Sequence, residues 1–173
     1  TSYTAIFTPT TTGPATITVA AASFTDAAGN NNLAGSLVTP IAVDITAPSA
    51  TLAANPTSVG IGETATVTIT LSEPSADFAI GDIAVAGGTL ANFTAVSPTV
   101  YTVVFTPNAN STTNGTVSIP AGVFTDADGN DNTAATPLTI TVDTVAPTLV
   151  ITSSVPTVAS GSTATITFAL SEA

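Results

Sequence analysis

Thr64-Ala65-Thr66-Val67-Thr68-Ile69-Thr70-Leu71 sets an apolar side chain at every second position and a threonine at each position between. Successive side chains of an extended chain leave on opposite faces, so this octet predicts a β-strand with one buried face and one hydroxyl face. Its β-branched residues are stiff at χ1 and fit a pleated surface. Working outward, the same period of two recurs at Tyr101, Val103 and Phe105, at Val117 and Ile119, and at Leu138, Ile140 and Val142. Further strands are expected near 50–54, 79–86 and 89–95, with Gly87-Gly88 as a hairpin turn between the last two. No stretch has helical periodicity.

The chain repeats itself. Tyr3–Pro9 (YTAIFTP) matches Tyr101–Pro107 (YTVVFTP) at an offset of 98, and Phe24–Asn32 (FTDAAGNNN) matches Phe124–Asn132 (FTDADGNDN) at 100. Val43, Asp44 and Pro48 match Val142, Asp143 and Pro147 at 99, as do Leu71, Ser72 and Glu73 with Leu170, Ser171 and Glu172. An internal period of this length marks an array of like units. Ala47-Pro48 and Ala146-Pro147 follow strand-like runs and read as short stiff joints, because a proline forces its predecessor into extended geometry. On that frame residues 1–45 are the closing part of one repeat, 46–144 are a complete repeat, and 145–173 open the next. Seven short strands in about 99 residues, with turn residues at regular spacing, predict an all-β fold of tandem Ig-like β-sandwich repeats. Tyr101 and Phe105 alternate with threonine and recur as Tyr3 and Phe7, so they read as core rather than as a sugar-stacking platform. Phe24 and Phe124 are expected to plug the ends of their sandwiches.

Composition narrows the function. There is no Lys, Arg or His among 173 residues, against eleven Asp and Glu, giving a formal charge of -11, and 44% of residues are hydrophobic. That much alternating apolar residue belongs to an ordered chain long enough to bury a core. With no cationic side chain to collect phosphates, nucleic acid and anionic membrane surfaces are rejected as partners. No apolar run reaches the length of a bilayer-spanning helix, so a soluble chain without direct membrane insertion is expected. The absence of Cys removes disulfides and thiolate chemistry, and the absence of Lys removes Lys–Asn cross-links. Acid–base catalysis would be left to a carboxylate pair alone, so no enzyme is expected. Thr1–Pro9 already reads as a strand with no leader before it, which suggests a window of a longer chain. Sequons at Asn92, Asn110 and Asn114 permit glycosylation.

Acids are concentrated where the strands turn. Asp126, Asp128 and Asp131 fall within six residues, around Gly129, with Asn130 and Asn132 as further oxygen donors. If each strand runs antiparallel to the one before, the loop of Glu73 and Asp77 and the loop of Asp126 lie at the Pro48 end of the complete repeat. Asp44, last in the preceding strand, and Asp82 join them there. Carboxylates gathered without a counter-charge repel one another, and Ca2+ is a hard cation that takes about six to eight oxygens from such groups. The expectation is a calcium clasp at the joint. The Asp-x-Asp-Gly run is not an EF-hand, since no Glu stands at the twelfth position and no helices flank it. The earlier copy, Asp26 to Asn32, has one acid and three Asn, and a weaker site is expected there.

Val-Asp-x-x-Ala-Pro, then Leu-Ser-Glu, then Phe-Thr-Asp-x-x-Gly-Asn-x-Asn resembles the bacterial Ig-like tandem repeats of large extracellular adhesins, including RTX-type and biofilm-associated ones. The resemblance covers essentially the whole chain. It implies long extender arms at the cell surface, stiffened by Ca2+ at domain junctions. It further implies that Asp44, Glu73, Asp126 and Asn130, with repeat equivalents Asp143, Glu172, Asp26 and Asn30, are ligands. The implied partners are neighbouring repeats of the same chain and other copies in a fibre. The alternative is a module that binds glycan or ice through threonine faces such as Thr64, Thr66, Thr68 and Thr70.

Overall fold

The computed structural model describes residues 1–172. Its first strands are β1 (Gly13–Ala15), β2 (Thr18–Val19), β3 (Gly35–Ser36) and β4 (Ile41–Val43). Eight follow: β5 (Ala50–Asn55), β6 (Ser58–Val59), β7 (Ala65–Leu71), β8 (Ala84–Ala86), β9 (Gly88–Ser97), β10 (Val100–Pro107), β11 (Gly115–Ser118) and β12 (Leu138–Val142). A hairpin of β13 (Leu149–Ser153) and β14 (Ile166–Leu170) comes last.

Strands β5 to β12 form two four-stranded sheets, ordered β5-β7-β10-β9 and β6-β12-β11-β8. This is the Ig-like sandwich, with the first strand split between the sheets. The alternation of Ala65–Leu71 is realised in full, since Ala65, Val67, Ile69 and Leu71 are buried and Thr66 and Thr70 are exposed. Beside them in the same sheet Val103 and Phe105 of β10, and from the other side Val117, Ile119 and Ile140, close the core. Burying each such side chain contributes about 1.5–3 kcal/mol. At the Pro48 end the core finishes in rings: Phe78 meets Tyr101 edge-on at 5.0 Å and Phe124 at 5.1 Å.

Several expectations are corrected. Gly87-Gly88 is not a hairpin turn but a corner between sheets, because β8 pairs with β11 while β9 pairs with β10. A side chain is excluded there: a Cβ on Gly87, whose φ is +75°, would stand 2.7 Å from the Asn114 carbonyl oxygen, and one on Gly88 2.6 Å from the Phe105 ring. Of 79–86, only Ala84–Ala86 is strand, since Ile80–Asp82 forms a 3-10 turn. An eighth strand was unforeseen. After Asn55 the chain changes sheets at Pro56, and β6 runs parallel to β12 with Ser58 opposite Thr141 and Val59 opposite Val142.

The flanking segments separate local sequence from tertiary support. Tyr3–Pro9 forms no strand and Ile6 is 97% exposed, although the near-identical Tyr101–Pro107 lies in β10 between β7 and β9. Phe24 is 62% exposed where Phe124 is 1% exposed, so Phe24 is no plug. Among the described residues no strand lies beside Tyr3–Pro9 to complete a ladder. Short-range pairings nevertheless recur: Ala15 faces Ile41 as Gly115 faces Ile140, and Leu149 faces Leu170 as Ala50 faces Leu71.

Candidate metal centre

The turn from Asp126 to Asn130 is built by its own side chains. Oδ1 of Asp126 accepts the N–H groups of Asp128 and Asn130, each at 2.9 Å, and Oδ2 accepts the Asn130 side-chain amide at 2.7 Å. Gly129, at φ +86°, supplies the left-handed residue that the reversal requires. Asn132 closes the base of the loop from a position only 3% exposed. Its Oδ1 accepts the N–H groups of Val123 and Phe124, and its Nδ2 donates to the carbonyls of Pro120 and Thr133. The copy at 24–32 repeats these bonds, with Asp26 accepting from Ala28 and Asn30, and Asn32 from Ser23 and Phe24, all in exposed surroundings. The loop is therefore a local construction that does not depend on burial.

Two other segments meet this loop. Ser49 and Ser72 exchange hydrogen bonds that hold the start of β5 to the end of β7, and Glu73 follows directly. The linker from Asp44 to Pro48 is gripped from the loop side: Asn130 Nδ2 donates to the Asp44 carbonyl at 3.3 Å, and Thr133 N–H donates to the Pro48 carbonyl at 2.9 Å. The outcome is a cluster in which one carboxylate oxygen from each of Asp44, Glu73 and Asp126 lies within 4.8 Å of the others. Asp44 and Glu73 are partly buried and Asp126 is 6% exposed.

The electrostatics of the cluster pull in two directions. Burial raises the pKa of Glu73 above its ordinary value, and repulsion from Asp126, Asp44 and Asp128 raises it further. Asp126 is held below the usual carboxylate range, chiefly by the Asn130 amide and then by the backbone N–H groups of its turn, against the opposing effect of burial. Hydrogen bonding thus keeps one member ionised while its neighbour is pressed toward the neutral form.

The remaining sequence-derived candidates fall outside the three-carboxylate cluster. Asp128 is exposed but near enough to act on Glu73, and Asp131 is exposed and pairs with Thr125 through the backbone. Asn130 turns its amide nitrogen toward Asp126 and the Asp44 carbonyl. Asp77 points at the loop itself: its carboxylate accepts from Thr125 N–H at 3.0 Å, Thr125 Oγ1 at 2.9 Å and Ser75 Oγ at 2.6 Å. Asp82 closes its own turn by accepting from Ala79 N–H. Asp26 accepts from Asn30, and its pKa is lowered by that contact. Asp143 Oδ1 accepts from Val145 N–H, as Asp44 Oδ1 accepts from Thr46 N–H, and Glu172 is exposed. The sequence reading missed Thr125 and Ser75. The Ser-x-Asp spacing of Ser75 and Asp77 was the available signal, since hydroxyl and carboxylate two residues apart pair locally.

The donor set suits a hard cation. It offers carboxylate and carbonyl oxygen, with no sulfur or imidazole and no Lys, Arg or His anywhere in the chain to neutralise it. A family model described as Bacterial Ig-like domain matches residues 44–142, more than half of the chain. No curated protein and no solved structure matches it.

Proposed function

We propose, from the premise that this chain belongs to the bacterial Ig-like domain family, that it is a structural spacer of a large secreted or surface-anchored adhesin or extracellular fibre. Its joints are stiffened by Ca2+ and it performs no catalysis. The observation that carries this reading is the meeting of Asp44, from the segment before the Pro48 joint, with Glu73 and Asp126, from two loops of the sandwich after it. Three carboxylates supply three to six of the roughly six to eight oxygens that Ca2+ takes. Asp128 and the Asp44 carbonyl stand close by for the rest. Bound calcium would turn mutual repulsion into shared attraction and tie the linker to the sandwich. Asp143 and Glu172 are the corresponding ligands of the following joint, and Asp26 that of the preceding one, where Asn30, like Asn130, turns its amide nitrogen to the aspartate and braces it rather than ligating. Residues 46–144 then constitute one repeat, adding about 35 to 45 Å to the length of the arm. Its partners are neighbouring repeats and other copies in a fibre.

Small-angle scattering with and without chelator tests this. Calcium is expected to lengthen the molecule and narrow its distribution of end-to-end distances, whereas superimposable profiles at saturating calcium and in chelator refute the stiffened joint. The glycan- or ice-binding alternative has the exposed hydroxyls of Thr64, Thr66 and Thr70 in its favour, but the core aromatics add nothing to it. Phe78, Phe93, Tyr101 and Phe124 pack on one another inside the sandwich, with Phe93 and Tyr101 stacked at 5.4 Å, and so form no exposed platform. A groove of about 240 Å³ beside Leu52 and Pro137 has no aromatic residue in its wall, and one of about 260 Å³ between Phe7 and Ala15 has Phe7 alone.

A further inference from the structure

Asp77 is the acid of the Glu73 loop that the cluster leaves out, and its carboxylate is fully engaged. Ser75 Oγ donates to it from its own loop, while Thr125 donates both its N–H and its hydroxyl from across the sandwich end. Thr125 directly precedes Asp126, and Phe78, next to Asp77, meets Phe124 at 5.1 Å. One polar and one aromatic contact therefore lock the two loops in register, two residues at a time. We infer that Asp77 is a positioning residue: it clamps Thr125 and so presets the separation of Glu73 and Asp126, without itself touching the ion. This rests on the calcium reading of the cluster. The physical reason is preorganisation, because carboxylates that repel one another drift apart unless a neutral donor set holds their backbones, and the entropy of reassembly then weakens binding.

Calcium titration calorimetry on the full chain, with amide hydrogen exchange in chelator, tests the assignment. Asp77→Ala is expected to weaken calcium binding by about tenfold with unchanged stoichiometry, and to speed exchange of the Thr125 amide. Asp77→Asn keeps an acceptor for the Thr125 N–H and a group that bonds its hydroxyl, so it should restore most of the affinity. Thr125→Val removes only the hydroxyl contact and should give a smaller loss in the same direction, which covers the case of an Asp77→Ala chain that fails to fold. Equal losses in Asp77→Asn and Asp77→Ala would make Asp77 a ligand and overturn the inference, as would wild-type affinity in Asp77→Ala. Wild-type protein that takes up no calcium overturns the metal reading and the affinity claim with it. The brace alone then stands or falls on Thr125 exchange.

Discussion

Replacing Glu73 by Gln should change stability in opposite directions with and without calcium. In chelator, Glu73 faces two carboxylates whose oxygens lie within 4.8 Å. A pair of unit charges at that spacing repels by about 0.9 kcal/mol in a water-like dielectric, the appropriate one for a partly exposed side chain. Physiological salt removes roughly half. Two neighbours thus cost Glu73 about 1 kcal/mol, and relieving that should raise Tm by about 4–8 °C for a domain near one hundred residues. With calcium at about one hundred times its Kd, the wild-type sandwich gains about 2.7 kcal/mol by linkage. The Gln variant loses a charged ligand and much of that gain. The assay is thermal unfolding of both proteins in chelator and in millimolar calcium, repeated in high salt, where the chelator difference should shrink. Stabilisation of the same size in both conditions would mean that no ion uses Glu73, and destabilisation in both would mean that the side chain is not under repulsion.

Asn132→Ala should cost about 1–3 kcal/mol in denaturant unfolding, because the buried Phe124 N–H and the half-buried Val123 N–H lose their acceptor while the Pro120 and Thr133 carbonyls, on exposed residues, can turn to water. Gly115→Ala should cost about 1–3 kcal/mol or prevent folding, since its Cβ would stand 2.9 Å from Phe105 Cε1, while Gly81→Ala, with nothing within 4 Å, should be tolerated. Without metal, stability should fall as pH rises above 4.5, because the raised pKa of Glu73 favours the folded state only while the group is protonated, and Glu73→Gln should flatten that limb. Asp77 and Asp126 have lowered pKa values, so their contribution is present above 3.8 and lost as pH falls through their folded values, and Asp77→Asn should blunt this acid limb of unfolding.

Long alternating runs were legible in the sequence for a simple reason. Ala65–Leu71 and Tyr101–Phe105 carry their burial pattern at a period that only a half-buried strand produces. The Ser58–Val59 strand was not, because two residues cannot display a period. Gly87-Gly88 misled because a hairpin turn and a change of sheet both suit residues without a side chain, and only the long-range partners, β11 for β8 and β10 for β9, distinguish them. Strand polarity was enough to bring Asp44, Glu73 and Asp126 to one end. It was too coarse to separate Glu73 from Asp77 four residues on, which depends on the reach of two hydroxyl groups. Nor could it foresee that Asn130 presents its nitrogen, since an amide's orientation is set by the carboxylate and carbonyl it meets. Phe24 and Tyr3 lacked their neighbours' support, a tertiary matter on which their local sequences are silent.

The short parallel pairing of β6 with β12 has a mechanical consequence. The chain enters this sandwich just ahead of β5 and leaves it at the end of β12, so tension between Ala47 and Asp143 would drag β6, which follows directly on β5, lengthwise past β12. The Thr141 N–H to Thr57 carbonyl bond at 2.9 Å and the Asp143 N–H to Val59 carbonyl bond at 3.1 Å are then stretched together, as in a lap joint, rather than opened in turn like a zip. Resistance to pulling would then be concentrated in a patch of a few residues at the far end from the Asp44, Glu73 and Asp126 cluster, and Val59→Pro would weaken it by breaking up that pairing.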